Sequence, residues 1–198
     1  MEKKVDRRVI KTRRQLKKGL AALMKEKSVN QITVKELVEE VDINRSTFYL
    51  HFKDIQDLLR EIEENMEAQI KRAIEEHPIV SGNENAFYFI EDMFRVLDEE
   101  REISKALIGP NGDMGFIHRI ERIIKENSRG TLEKMFPGKK EDLKYFYAFC
   151  LCGCLGLVKV WLNEGEEKSP EEMAQMTFNM IANAKDAFCQ TASDFLDK

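Results

Sequence analysis

Five side chains within seven residues carry the most suggestive chemistry in this chain: Arg45, Ser46, Thr47, Tyr49 and His51. The planar guanidinium of arginine matches base edges and phosphate oxygens, and hydroxyl groups donate to phosphate. Such a set on one exposed surface suits a nucleic acid; the plainer reading is a polar face on a small helical bundle. Other constellations read as structural. Cys150, Cys152 and Cys154 alternate in one apolar run, but on a helix residue 152 points away from the line between 150 and 154. Three thiolates there do not converge on one zinc, and no CxxC pair with a partner is present. The expectation is core packing by reduced, buried thiols, with a redox-sensing thiol or a metal site as alternatives. Gly109, Gly112 and Gly115 lack the following Lys-Ser/Thr and the preceding strand of a phosphate cradle, so they read as a loop. His118 and Glu121, one turn apart, read as a solvated face, and no nucleophile elbow is present. The aromatics of the later chain read as core, with a subset available to line a pocket.

The elements that must position the five residues are helices. A first helix is expected from about Val5 to Lys27, with Val9, Leu16, Leu20 and Leu23 on its apolar stripe. Arg7, Lys11, Arg14, Lys18 and Lys25 fall on the opposite face. That helix has no Trp or Phe on its apolar side, which argues against a membrane-surface role. Thr33 with Glu36 three residues on forms a capping box before Val34, Leu37, Val38 and Val41. Asp42 sits where the chain must turn and tolerates a left-handed conformation. Asn44 then caps a third helix, with Ile43, Phe48 and Phe52 turned inward and the polar five outward. A fourth helix starts at Asp54, with Ile55, Leu58, Leu59, Ile62, Met66, Ile70 and Ile74 as its stripe. Two short helices joined by about three residues make a helix-turn-helix pattern.

The rest of the chain also reads as helix: 83–100, 102–108, a segment capped by Asp113, about 141–163, and one opened by Ser169-Pro170. Pro137-Gly138 breaks the chain before the long apolar segment, in which Gly153 and Gly156 would let a neighbouring helix approach closely. Only 10 Gly and 4 Pro in 198 residues argue against an all-β protein, and 42% apolar residues exclude disorder. The fold class expected is all-α. Overall charge is −4, yet residues 1–55 hold 14 Lys and Arg against 8 Asp and Glu, a net of +6, leaving −10 for the remainder. A basic quarter on an acidic body points to a local polyanion site, with solvated helix faces as the alternative. The longest uncharged run, 145–158, has 14 residues, fewer than the roughly 20 a membrane span needs. No secretory signal is read, so the expected setting is cytoplasmic and no membrane partner is expected.

The stretch from Ile32 to Asp54, with its core Thr47-Phe48-Tyr49-x-His51-Phe52-Lys53, closely resembles the DNA-binding motif of the TetR/AcrR family of bacterial regulators. The resemblance covers the first quarter of the chain. It implies an N-terminal three-helix helix-turn-helix head (1–53) fused to a helical ligand-binding and dimerisation body (54–198). It also implies a homodimer, whose last two helices meet those of its partner. Carried over by position, Thr33 and Lys35 would contact phosphate, and Arg45, Ser46 and Thr47 would enter the major groove. Tyr49 and Lys53 would hold the backbone, and Leu50 would touch a thymine methyl. Asp42 replaces the glycine usual in the turn. Ile55 stands where the family often has a phosphate-binding lysine, a role for which Lys53 is the substitute. The segments 111–127 and 145–165 resemble a subgroup that includes regulators of dihydroxyacetone kinase genes. The expected function is a DNA-binding transcriptional regulator, a repressor on a palindromic double-stranded operator, released by an unknown small-molecule ligand. The alternative is a regulator or coactivator controlled through a protein partner. A helical enzyme is disfavoured, and no cofactor or metal is expected, because no nucleophile, metal cluster or cofactor motif appears.

Overall fold

The computed structural model describes residues 7–78, 83–136, 139–164 and 168–189. Their regular structure is helical, with no strand among the described residues. The order is α1 (Arg7–Met24), a 3-10 turn at Val29–Gln31, α2 (Val34–Glu40), α3 (Arg45–Tyr49), α4 (Ile55–Glu76) and α5 (Asn83–Glu99). It continues with α6 (Arg101–Ile108), α7 (Met114–Met135), α8 (Leu143–Asn163) and α9 (Pro170–Cys189). Val5, Pro137 and Gly138, where element ends were expected, lie outside the described residues, as does residue 165 at the end of the second segment that resembles the subgroup.

The chain divides into two compact units. One runs to Glu67 and takes in Glu100–Ile117; the other holds Ala68–Glu99 and the chain from His118. The first unit thus includes α6 beside the three helices of the motif. Its core is built by Leu16 and Leu20 of α1, Leu37 of α2, Phe48 of α3, and Leu58 of α4, all fully buried. The whole expected stripe of α4, from Ile55 to Ile74, is buried. Gly19 permits close approach of α1 and α2: a Cβ there would stand 2.3 Å from Val41 Cγ1 and 3.1 Å from Leu37 Cδ1. At the far end of α1, the Asn111 amide donates to the carbonyl of Met24 at 3.1 Å. This caps a helix end whose carbonyls have no intrahelical partners. The loop carrying Asn111 is tight. Gly112 donates to the Gly109 carbonyl at 3.1 Å, and a Cβ on Gly112 would lie 1.9 Å from the Leu107 carbonyl oxygen.

In the second unit α5 packs on α9, where Phe87 meets Phe178 edge-on at 5.9 Å. Phe94 meets the Trp161 ring at 5.2 Å. The Trp161 indole donates to the Lys168 carbonyl at 2.8 Å, tying the end of α8 to the start of α9. Ser169 and Glu172 then form the capping exchange expected of α9, with Glu172 N–H donating to Ser169 Oγ and Ser169 N–H to Glu172 Oε2. A trio of Phe136, Phe146 and Phe188 closes the other end, with ring centroids 4.9 to 5.4 Å apart. Lys139 lies over the Phe188 ring and donates to its carbonyl, a cation at a helix C-terminus.

Helix α8 departs from expectation. Its buried residues are Leu143, Phe146, Trp161 and Leu162, at its two ends. Cys152 is exposed and Cys150 and Cys154 are half-buried, so the thiols are not the buried core residues expected. The reason is that the apolar middle of α8 is left largely uncovered by the described residues of its own chain. Burial pushes the Cys150 and Cys154 thiols up to about 11, so both stay protonated at neutral pH and are poor nucleophiles. The 14-residue uncharged run lies inside a 21-residue helix that is long and apolar enough, by length and composition, to cross a membrane, and little of it is buried.

Candidate nucleic-acid interface

The helix-turn-helix is fixed by short-range polar bonds. Thr33 is the N-cap of α2. Its hydroxyl accepts from Glu36 N–H at 3.2 Å and donates to Glu36 Oε2 at 2.8 Å, while Thr33 N–H donates to the same carboxylate at 2.9 Å. Lys27 donates to the other carboxylate oxygen. The Lys27 bond is the largest cause, and the Thr33 bonds the next, that hold the Glu36 carboxyl down at about 2. Asp42 turns the chain with φ of 51°, a left-handed conformation a short polar side chain tolerates. Asn44 caps α3 by accepting from Ser46 N–H at 3.0 Å. Asp54 accepts from Asp57 N–H at 2.8 Å, and Asp57 accepts from Lys53 N–H at 3.0 Å, which starts α4.

Buried aromatics set which way α3 faces. Phe48 is 0% exposed and Phe52 3%, and the Arg13 guanidinium lies 5.1 Å over the Phe52 ring. With that side anchored, Arg45 and Ser46 are exposed, Tyr49 is 58% exposed and Leu50 81%. A large apolar side chain held in water to that extent, beside an exposed aromatic, fits a contact surface. Thr47 and His51 are half-buried at the edge of this face, and Lys53 is exposed just beyond it. At the start of α2, Thr33 and Lys35 are exposed; Lys35 has a loose 3.9 Å pairing with Glu39. Ile55, in the position where the resemblance places a lysine, is a core residue.

Two hydroxyls named from the motif already serve the fold. The Thr33 hydrogen goes to Glu36, and the Ser46 hydroxyl donates to Asn44 Oδ1 at 3.1 Å. Sequence reasoning missed the supports behind the face. Glu61 gathers Arg13 at 2.9 Å and Lys17 at 3.3 Å. Gln56 donates to Asn30 at 3.0 Å, and Asn111 caps α1 from 87 residues away. The i, i+4 spacing of Arg13 and Lys17 is the one signal of these supports in the sequence; nothing local announces their acceptor.

Comparison with known proteins supports both halves. A family described as bacterial regulatory proteins, tetR family, matches residues 18–62. One described as transcriptional regulator C-terminal region matches residues 84–183. The uncharacterized HTH-type transcriptional regulator YxbF of Bacillus subtilis (strain 168) is 26% identical over 185 residues. The aligned part covers 88% of this chain and 45% of that protein, so the chain spans less than half the length of that relative. Among solved structures, the dihydroxyacetone kinase operon activator DhaS is similar in fold, with TM-score 0.56 and 18% identity over 90% of this chain and 98% of that one. A TetR transcriptional regulator from Streptococcus agalactiae 2603V gives TM-score 0.55 and 20% identity, over 89% and 96%. With a tetR-type motif on α1–α4 and a matching C-terminal region over half its length, the chain belongs to the TetR family of transcriptional regulators.

Proposed function

We propose that the chain is a ligand-released repressor that binds a palindromic DNA operator as a homodimer. The observation that carries the DNA reading is the outer face of α3. Arg45, Tyr49 and Leu50 stand in water while Phe48 and Phe52 anchor the helix from behind. In this reading Arg45 reaches a base edge in the major groove, with Ser46 and Thr47 beside it, and Leu50 packs on a thymine methyl. Tyr49, Lys53 and Lys35 donate to phosphate, with Thr33 and His51 at the margins of the contact. Thr33 acts first by holding the start of α2, since its hydroxyl hydrogen is engaged.

The homodimer reading rests on α8. Tyr145, Phe149, Cys152, Gly156 and Val160 recur along one side of the helix, and all are exposed. A second copy is the partner that covers such a face symmetrically. Two heads must then meet major grooves about 34–36 Å apart on one side of the duplex. A small molecule held in the body would favour a head spacing that misses this register. Helix α4 has residues in both compact units and is unbroken from Ile55 to Glu76, so it is the element to carry the change.

The test is an electrophoretic shift on a selected operator. Arg45→Ala is expected to weaken binding and relax preference at one base pair by about 1–3 kcal/mol. Tyr49→Phe is expected to weaken binding to all sequences alike. Normal specific binding by both variants would remove α3 as the reading element.

A further inference from the structure

The cations of α1 fall into two sets. The helix holds seven Lys and Arg and no Asp or Glu. Arg13 and Lys17 are neutralised by Glu61, and Arg8 is also engaged. Just past the helix, Lys25 pairs with Glu102 and Lys27 with Glu36. The remaining four, Arg7, Lys11, Arg14 and Lys18, are exposed, and none is paired with a described residue. They recur at steps of four, three and four, so they share one face. At 1.5 Å per residue that face is about 16 Å long.

Like charges at this spacing repel and destabilise the helix that carries them, and basic residues in its first turn oppose its dipole. Among the described residues, ion pairs relieve the repulsion on the other faces of α1 but not on this one. A duplex presents a negative charge every 1.7 Å or so along its axis, so it can neutralise the whole face at once. An anionic membrane would satisfy the charges too, but a helix that lies in a membrane surface also needs an apolar face to insert. The apolar face of α1, with Leu16, Leu20 and Met24, is buried in its own unit. That unit also holds α3, and the close approach at Gly19 fixes α1 against α2.

We infer that Arg7, Lys11, Arg14 and Lys18 form a second DNA-contacting element, one that binds duplex phosphates and reads no base. The inference rests on the DNA-binding reading above. It adds a sequence-independent contribution to affinity, and it predicts a steep salt dependence of binding carried by α1 together with Lys35 and Lys53.

The experiment is a salt titration of wild type, the triple variant Lys11→Gln/Arg14→Gln/Lys18→Gln, and Lys25→Gln as a control for an ion-paired cation. Operator and random duplex are both used. Glutamine keeps helix propensity, and melting curves check that the triple variant folds as wild type does. The slope of log K against log salt is expected to fall by about 0.9 for each phosphate no longer neutralised. Affinity should fall by the same factor on both duplexes, with the specificity ratio unchanged and the Lys25→Gln slope that of wild type. An unchanged slope in a folded triple variant overturns the inference while leaving the α3 reading intact. A fall in affinity confined to the operator also overturns it, because the face would then read sequence. Binding of wild type to anionic phospholipid vesicles, abolished in the triple variant whose duplex slope stays normal, would assign the face to a membrane instead. A wild type with no affinity for any duplex overturns this inference and the proposed function together.

Discussion

Helices α3 and α8 each leave large apolar side chains in water, for opposite structural reasons. In α3 two residues, Tyr49 and Leu50 at its end, are exposed on a helix flanked by the Asn44 cap and the Asp54–Asp57 exchange. Its exposed side is mostly polar. In α8 the exposed side is itself apolar, with Tyr145 at 66%, Phe149 at 67% and Val160 at 50% exposure. No side-chain cap bond holds its start at Asp142. A small, polar, rigidly presented face suits reading a charged lattice of phosphates and base edges. A long apolar face suits an identical apolar face. The fold specifies the first by local bonds; in the proposed homodimer the second is completed by association.

The sharpest break of that contrast is a charge on α8. Among the described residues nothing lies within 4 Å of the place a Gly156 Cβ would take, so Gly156→Glu is expected to leave the packing of the described single chain intact. In the proposed homodimer it would bury an unpaired charge. Light scattering is expected to show 23.1 kDa monomers or aggregates in place of dimers, with operator binding abolished. A variant that stays dimeric and binds normally would take the interface away from α8.

Glycine-to-alanine substitutions sharpen the same contrast at smaller scale. At Gly19 a Cβ would collide with Val41, a β-branched residue stiff at its first side-chain torsion. Gly19→Ala is expected to cost about 1–3 kcal/mol of stability, as overpacking does. At Gly153 and Gly156 the same change meets no described residue and gains helix propensity of roughly 0.8–1 kcal/mol at each site. The body alone should therefore tolerate it, while a dimer that packs on those glycines should loosen. Chemical denaturation at two protein concentrations separates these effects. Equal responses at positions 19 and 156 would mean that α8 is as closely covered as α1.

How much of this is legible in the sequence follows from the range of each interaction. The caps at Thr33, Asn44 and Ser169, the left-handed turn at Asp42 and the stripe of α4 depend on residues within about four positions, and sequence alone announces each of them. The long-range supports have no such signal. Asn111 caps α1 across 87 residues, and Lys25 finds Glu102 across 77. Ala21 and Met24 are buried beside the expected stripe of α1, since only the packing of neighbours decides how wide a buried face is. For the candidate site, residue types announce α3. They do not reveal that the hydroxyls of Thr33 and Ser46 are used within the motif. Of the α8 thiols, Cys150 packs at the edge of the Phe136, Leu143 and Phe146 cluster while Cys152 is exposed; apolar sequence says that a residue wants cover, not which molecule supplies it.

The start of α2 offers a finer break. Removing the cap by Thr33→Ala is expected to cost about 0.5–2 kcal/mol, typical of a missing N-cap, and to weaken operator binding by loosening the helix that carries Lys35. Thermal melting followed by circular dichroism reports the first effect, and a shift assay the second. Unchanged melting would mean that the Glu36 bond to the Thr33 backbone N–H suffices to hold the helix end.

The smallest effect concerns the partner carboxylate and appears only in acid. Glu36 is held at about 2, below its ordinary 4.5, by Lys27 first and by Thr33 next. A carboxyl whose folded value is lowered stabilises the fold fully above its unfolded value and ceases to do so as pH falls through the folded one. The contribution of Glu36 is therefore complete above about pH 4.5 and fades progressively toward pH 2. Glu102, lowered by Lys25, shares the first unit and titrates in the same direction, as do Glu133, lowered by Arg129, and Glu172, lowered by the Ser169 backbone, in the second. Glu36→Gln should thus flatten the acid dependence of melting without abolishing it. The exposed α8 face from Tyr145 to Val160 carries no carboxylate, so Gly156→Ala should shift stability by the same amount at every pH in this range. If Glu36→Gln melts with the full acid dependence of wild type, the capping box is maintained by its neutral hydrogen bonds, and the ion pair with Lys27 adds nothing to the head.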